Sequence, residues 1–181
     1  MRSPQWCLVP TNAMPPEAGP TGLDAHLRAL ESLYASAPIN ALFASTLALP
    51  EAGRSEIAFT VAPDAFHAAG AAHGTLYFKM LDDAAFYAAN TLVSDRFLLT
   101  TAFNLHFTKA MKQGRARAEG RWISGRRRVF VAEARIIDAS GEECARGTGT
   151  FLRSHIALSG LGGYRPTTDG CDDGWAPSRR A

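Results

Sequence analysis

The chain has 181 residues, 46% of them apolar and 20% charged, a balance that suits one globular domain and gives no reason for a second. Nineteen Lys and Arg against 17 Asp and Glu leave a formal charge of +2, too small to argue for nucleic acid as a partner, and no apolar run nears the ~20 residues of a membrane span. Cys7, Cys144 and Cys171 are odd in number, widely spaced and without a C-x-x-C pair, which argues against a disulfide framework or a zinc site. With no signal-peptide pattern at the N-terminus, the expected location is cytoplasmic.

In chain order, the first residues carry Pro4, Pro10, Pro15, Pro16 and Pro20 with little periodicity, and residues 1–21 are expected to form a flexible arm. Leu23, Leu27, Leu30, Leu33 and Tyr34 recur at helical spacing, predicting a surface helix over 23–35 that Pro38 ends. Residues 40–49 suit a turn of helix and a short approach strand. Ile57, Phe59 and Val61 alternate in a strand over 55–62, and Pro63-Asp64 opens the loop that follows. From His73 to Val93 the apolar residues spread around the helix instead of along one stripe, so this helix belongs in the core.

After that helix the period changes. Leu99, Phe103, Leu105 and Phe107 alternate with polar residues, predicting a strand with those four on its packed face and Thr100, Asn104 and His106 together on the other. Strands over 114–123, 128–138 and 143–153 follow, separated by the turn pairs Ser124-Gly125 and Ser140-Gly141, so antiparallel hairpins are the economical connection. The expectation is an α+β domain over 22–155, in which a curved antiparallel sheet of five to six strands wraps one long helix, with an irregular tail over 156–181.

One residue of the core helix has no bland place there. Asp82 lies between Phe78 and Phe86 at helical spacing, and burying a carboxylate costs roughly several kcal/mol unless its charge is used or compensated. Asp83 has a simpler account, because Lys79 reaches it at i+4 as a helix ion pair. For Asp82 two readings stand, a catalytic carboxylate and a structural one.

His73-Gly74 opening a buried helix, an acid eight residues after that Gly, Asn104 in the next strand, the Gly125 turn and a closing GTGTF from Gly147 to Phe151 resemble the hotdog-fold thioesterases of the phenylacetate-pathway type, over roughly residues 50 to 154. The resemblance implies a hotdog fold, sheets paired edge to edge in a homodimer that often stacks into a homotetramer, and hydrolysis of an acyl thioester, usually acyl-CoA, with no separate cofactor. It implies Asp82 as general base or nucleophile and His73 as a residue that sets loop geometry. It also implies Thr100 as a hydroxyl bonded to the nucleophilic water. His67 stands seven residues before Gly74, where the family commonly has Asn or Gln orienting the thioester or the water, and Thr75 replaces the second Gly of the family's His-Gly-Gly. Each has a plainer account too: a solvated loop His for His67, a structural His for His73 and a good β-former for Thr100.

Physical chemistry adds to the resemblance. The first N–H groups of a helix are unpaired and lie at the positive end of its dipole, so Gly74, with no side chain in the way, suits an oxyanion donor, with Thr75 nearby. Eight residues of helix span about 12 Å, too far for Gly74 and Asp82 of one chain to grip one reacting carbon. The expected site is therefore shared, with Gly74 and His67 from one protomer and Asp82 from the other. Arg126, Arg127 and Arg128 form a basic hairpin suited either to CoA phosphates or to plain solvation. An acyl-CoA hydratase or dehydratase pairing His67 with Asp82, and a silent acyl-CoA-binding protein, are the alternatives.

Overall fold

The computed structural model describes residues 20–166. Most of the proposed arm and the end of the proposed tail lie outside the described residues. Helix α1 (Pro20–Ser36) is followed by a 3-10 turn (Pro38–Leu42) and strands β1 (Thr46–Ala48) and β2 (Arg54–Val61). The central helix α2 (Gly74–Asn90) leads to β3 (Arg96–Phe107), β4 (Gly114–Ser124), β5 (Val129–Asp138) and β6 (Glu143–Ala157). All six strands form one antiparallel sheet in the order β1-β2-β4-β5-β6-β3, wrapped around α2 as the resemblance implied. Among the described residues no helix is long and apolar enough to cross a membrane.

Small residues on the inner face of the sheet let α2 sit close. Ala116, Ala118, Ala132 and Ala134 are buried beneath the helix, and a Cβ at Gly120 would collide with the Ala84 carbonyl. Ser55 Oγ donates to that same carbonyl at 2.6 Å. The far end of α2 is fastened to β3 by Asn90, which is fully buried. Its Oδ1 accepts from Leu98 N–H at 3.0 Å, and its Nδ2 donates to the carbonyls of Val93 and Arg96 at 3.1 and 3.2 Å. That clamp fixes the start of β3 against the helix, two residues from Thr100.

Two sequence expectations change. Helix α1 begins at Pro20 and β6 continues to Ala157 into a turn (Leu158–Gly160), both beyond the bounds expected for those elements. Apolar burial explains the second extension: Leu158 is fully buried, and Tyr164 packs on the core with its hydroxyl 2.7 Å from His26 Nδ1 on α1.

The face assignment in β3 is also revised. Thr100 pairs with Phe151 and Ala102 with Thr150, so Thr101 is an extra residue, and the bulge reverses the alternation there. Leu98 is buried and Leu99 is 44% exposed. Thr100 turns to α2 along with Phe103 and Phe107, whereas Asn104 and His106 lie on the outer face.

Candidate active site

Asp82 and Thr100 both line a cleft of about 260 Å³ between α1, α2 and the start of β3. Thr100 Oγ1 donates to Asp82 Oδ1 at 3.0 Å, a contact that the β3 bulge makes possible. Burial pushes the Asp82 carboxyl from its ordinary 3.8 up to about 6; the Thr100 hydrogen bond and Lys79 pull it back, and the Asp83 charge adds to the rise. At neutral pH Asp82 is therefore ionised yet far more basic than a solvated carboxylate. Asp83 takes the structural role read from its spacing, paired with Lys79, whose ammonium also donates to Asn40 Oδ1 at 2.7 Å.

Gly74 opens α2 in a different cleft, of about 400 Å³, walled by His67, Tyr77, Phe107 and Lys109. His73 is the N-cap: its Nδ1 accepts from Thr75 N–H at 3.1 Å and lies 2.6 Å from Thr75 Oγ1. The cap occupies the Thr75 amide, which leaves the Gly74 amide as the donor at this mouth. Gly74 N–H has no acceptor among the described residues. A Cβ at Gly74 would stand 3.3 Å from Phe107 Cζ, so the missing side chain lets that ring sit close to the mouth. Tyr77 braces this mouth, donating to Lys109 O at 3.0 Å and accepting from Met111 N–H at 2.6 Å.

His67 sits in the turn before the helix, where its Nδ1 accepts from Ala69 N–H at 3.1 Å. With Nδ1 accepting, a neutral His67 carries its proton on Nε2 and remains a donor, the capacity that a side-chain amide has at this position. The protomer thus brings His67 to Gly74 and Thr100 to Asp82, and keeps the two pairs in separate clefts. Arg126, Arg127 and Arg128 occupy the β4–β5 hairpin and line neither cleft.

Sequence reasoning missed the α1 side of the Asp82 cleft, which Tyr34, Ala37, Ile39 and Asn40 line. No local pattern marks these residues, which reach the site only through the docking of α1. A further hollow of about 610 Å³ lies on the outer sheet face, where Arg121 pairs with Glu133, and Arg135 with Glu119 at 2.9 Å.

A family model described as the Thioesterase superfamily matches residues 69–145, the stretch that holds the Gly74 mouth, Asp82 and Thr100. A protein of Saccharolobus solfataricus named as an esterase is 30% identical over 102 residues, covering 56% of this chain and 68% of its own length. The chain belongs to the thioesterase superfamily. The thioesterase shares its fold with the PaaI protein of the E. coli phenylacetic acid degradation operon, at 15% identity and a TM-score of 0.69 over 75% of this chain and 98% of that one. It is also similar in fold to smu.793 of Streptococcus mutans UA159, solved bound to acetyl-CoA, at 18% identity and a TM-score of 0.55 over 60% of this chain and 86% of that one.

The Thr100–Asp82 bond yields a test within the thioesterase. Because that bond lowers the Asp82 pKa, Thr100→Val is expected to move the acid limb of the pH–rate profile to higher pH and to lower kcat about tenfold. An unshifted acid limb would show that the hydroxyl does not act through Asp82.

Proposed function

We propose that this thioesterase hydrolyses acyl-CoA thioesters, with Asp82 as the base and the Gly74 amide as the donor to the thioester oxygen, at two sites shared across a homodimer. The observation that carries it is the Asp82 carboxylate, half-buried, held by Thr100 through one oxygen and raised toward neutrality, at the wall of an open cleft. Its other oxygen is available to take a proton from water. The resulting hydroxide adds to the acyl carbon while the carbonyl electron pair moves onto oxygen, where Gly74 N–H and the helix dipole stabilise it. Collapse of this intermediate breaks the C–S bond, and the departing CoA thiolate recovers the proton. His67, donating from Nε2, orients the thioester or the water.

Three features of the protomer support the shared site. β3 is a sheet edge twelve residues long, and unpaired edges of that length are templates for another strand. Beside it Phe78 and Phe107 are 42% and 58% exposed, apolar surface of the kind that marks an interface. The positions also agree on one axis. Phe78 lies midway between Gly74 and Asp82 on α2, the centre of the Thr100–Phe107 span on β3 falls at Phe103 and Asn104, and the rings of Phe78 and Phe103 touch edge to face at 5.6 Å. A two-fold axis there would set Phe107, which covers Gly74, opposite Thr100 of a second copy. Gly74 of each copy would then face Asp82 of the other.

A free-thiol assay over short, medium-chain and aryl acyl-CoAs tests the reaction. Thiol release is expected without a change in enoyl absorbance. An enoyl change without thiol would point to the dehydratase, and tight binding with neither signal to a silent acyl-CoA-binding protein.

A further inference from the structure

The Asp82 cleft is lined by polar side chains that are almost all engaged. Tyr34 Oη is 2.6 Å from Ser45 Oγ. Asn40 donates to Tyr34 O at 2.5 Å and accepts from Lys79, and Lys79 is paired with Asp83. Thr100 is bonded to Asp82. Tyr87 is the exception. It lines the same cleft and is only 6% exposed, and its ring packs edge to face on Tyr34 at 5.3 Å and on Phe86 at 5.0 Å, yet its hydroxyl meets no hydrogen-bond partner among the described residues.

Among the described residues, every fully enclosed side-chain nitrogen or oxygen has a partner, so the Tyr87 hydroxyl is not sealed in the core and opens toward the cleft. A hydroxyl that opens to the cleft with no protein partner can donate to a ligand oxygen there. Burial also drives its pKa far above the ordinary tyrosine value, which keeps it a proton donor at any working pH. Along α2, Tyr87 stands five positions after Asp82, about 7.5 Å of axial rise. A medium-length chain or a single ring attached to a thioester carbonyl at Asp82 spans that distance.

We propose that Tyr87 is a specificity residue that donates a hydrogen bond to a neutral oxygen, a hydroxyl or an oxo group, on the distal part of the acyl group, so that oxygenated medium-length acyl groups are the favoured substrates. This rests on the reading of the Asp82 cleft as the acyl site of an acyl-CoA hydrolase. The walls fit such a group, since Phe86, Phe97 and Leu98 line the same cleft as Asp82 and Tyr87. A neutral oxygen is preferred over a carboxylate because Asp82 and Asp83 both border the cleft.

The test compares octanoyl-CoA with its terminally hydroxylated counterpart on the wild-type protein and on Tyr87→Phe, which keeps the ring packing. The wild type is expected to favour the hydroxylated thioester about tenfold in kcat/KM, and Tyr87→Phe to bring that ratio close to one. Binding of the same two thioesters to Asp82→Asn, with and without Tyr87→Phe, is measured by calorimetry and should show the same ratio and its loss. Binding discrimination that depends on Tyr87, in a protein that releases no thiol, would support the specificity role while overturning the hydrolase reading. A ratio near one in the wild type, or a ratio unchanged by Tyr87→Phe, would overturn the role of Tyr87 whether or not hydrolysis occurs.

Discussion

Asp82→Asn is expected to lower kcat by about 10²–10⁴-fold and at the same time to stabilise the fold at neutral pH. Both effects come from one carboxylate. Asn is nearly isosteric and can still accept the Thr100 hydrogen bond, but it cannot take a proton from water. The stability effect follows from linkage. The folded-state pKa of Asp82 is raised from 3.8 to about 6, so its contribution to stability is fully present below pH 3.8 and is lost as pH rises through about 6. Above that point the ionised carboxylate is a liability of about 1–2 kcal/mol, after discounting for its partial exposure.

Asp82→Asn should therefore raise Tm by about 2–8 °C at pH 7, and that advantage should vanish near pH 4. Wild-type hydrolysis should rise with pH through about 6 and level off above it. A variant that is inactive and also less stable at pH 7 would mean that Asp82 is a structural carboxylate whose loss damages the core.

Gly74→Pro is expected to cost about 10²–10³-fold in kcat while leaving the helix in place. Proline is well accepted at the first position of a helix, and it removes only the one N–H that the site uses. His73, with φ −68° and ψ 148°, already has the extended backbone preferred before proline. The matched control is Gly74→Ala, which keeps the amide and adds a methyl group 3.3 Å from the exposed edge of Phe107, a ring with room to give. The Ala variant should stay within about tenfold of wild type, with KM changed more than kcat in contrast to the Pro variant. Full activity in Gly74→Pro would remove the amide from the mechanism.

Much of this architecture is legible in the sequence because local rules and tertiary packing agree. The helix apolar on all sides, the run of small residues in β4 and the two Gly turns each point to a sheet closed on a central helix. Asp82 is legible for the opposite reason: a carboxylate at a core position conflicts with the pattern around it. What the sequence hides is set by long-range contacts. The bulge at Thr101 has no local marker, and it carries Thr100 to the helix face while turning Leu99 outward. Tyr87 reads as one more core aromatic, and only the arrival of α1 and the partners taken by Tyr34 and Asn40 leave its hydroxyl as the unspent donor. Phe78 and Phe107 likewise fit a core by composition, yet they are exposed beside the free strand edge.

The central claim is that the amide and the carboxylate serving one thioester belong to different chains, and co-expressed Asp82→Asn and Gly74→Pro protomers test it directly. Purified as mixed dimers through different affinity tags, they combine both lesions in one site and leave the other site intact. Such dimers should hydrolyse acyl-CoA at about half the wild-type rate, although each parent homodimer is nearly inactive. Mixed dimers no more active than either parent would contradict the shared site and return both groups to a single chain.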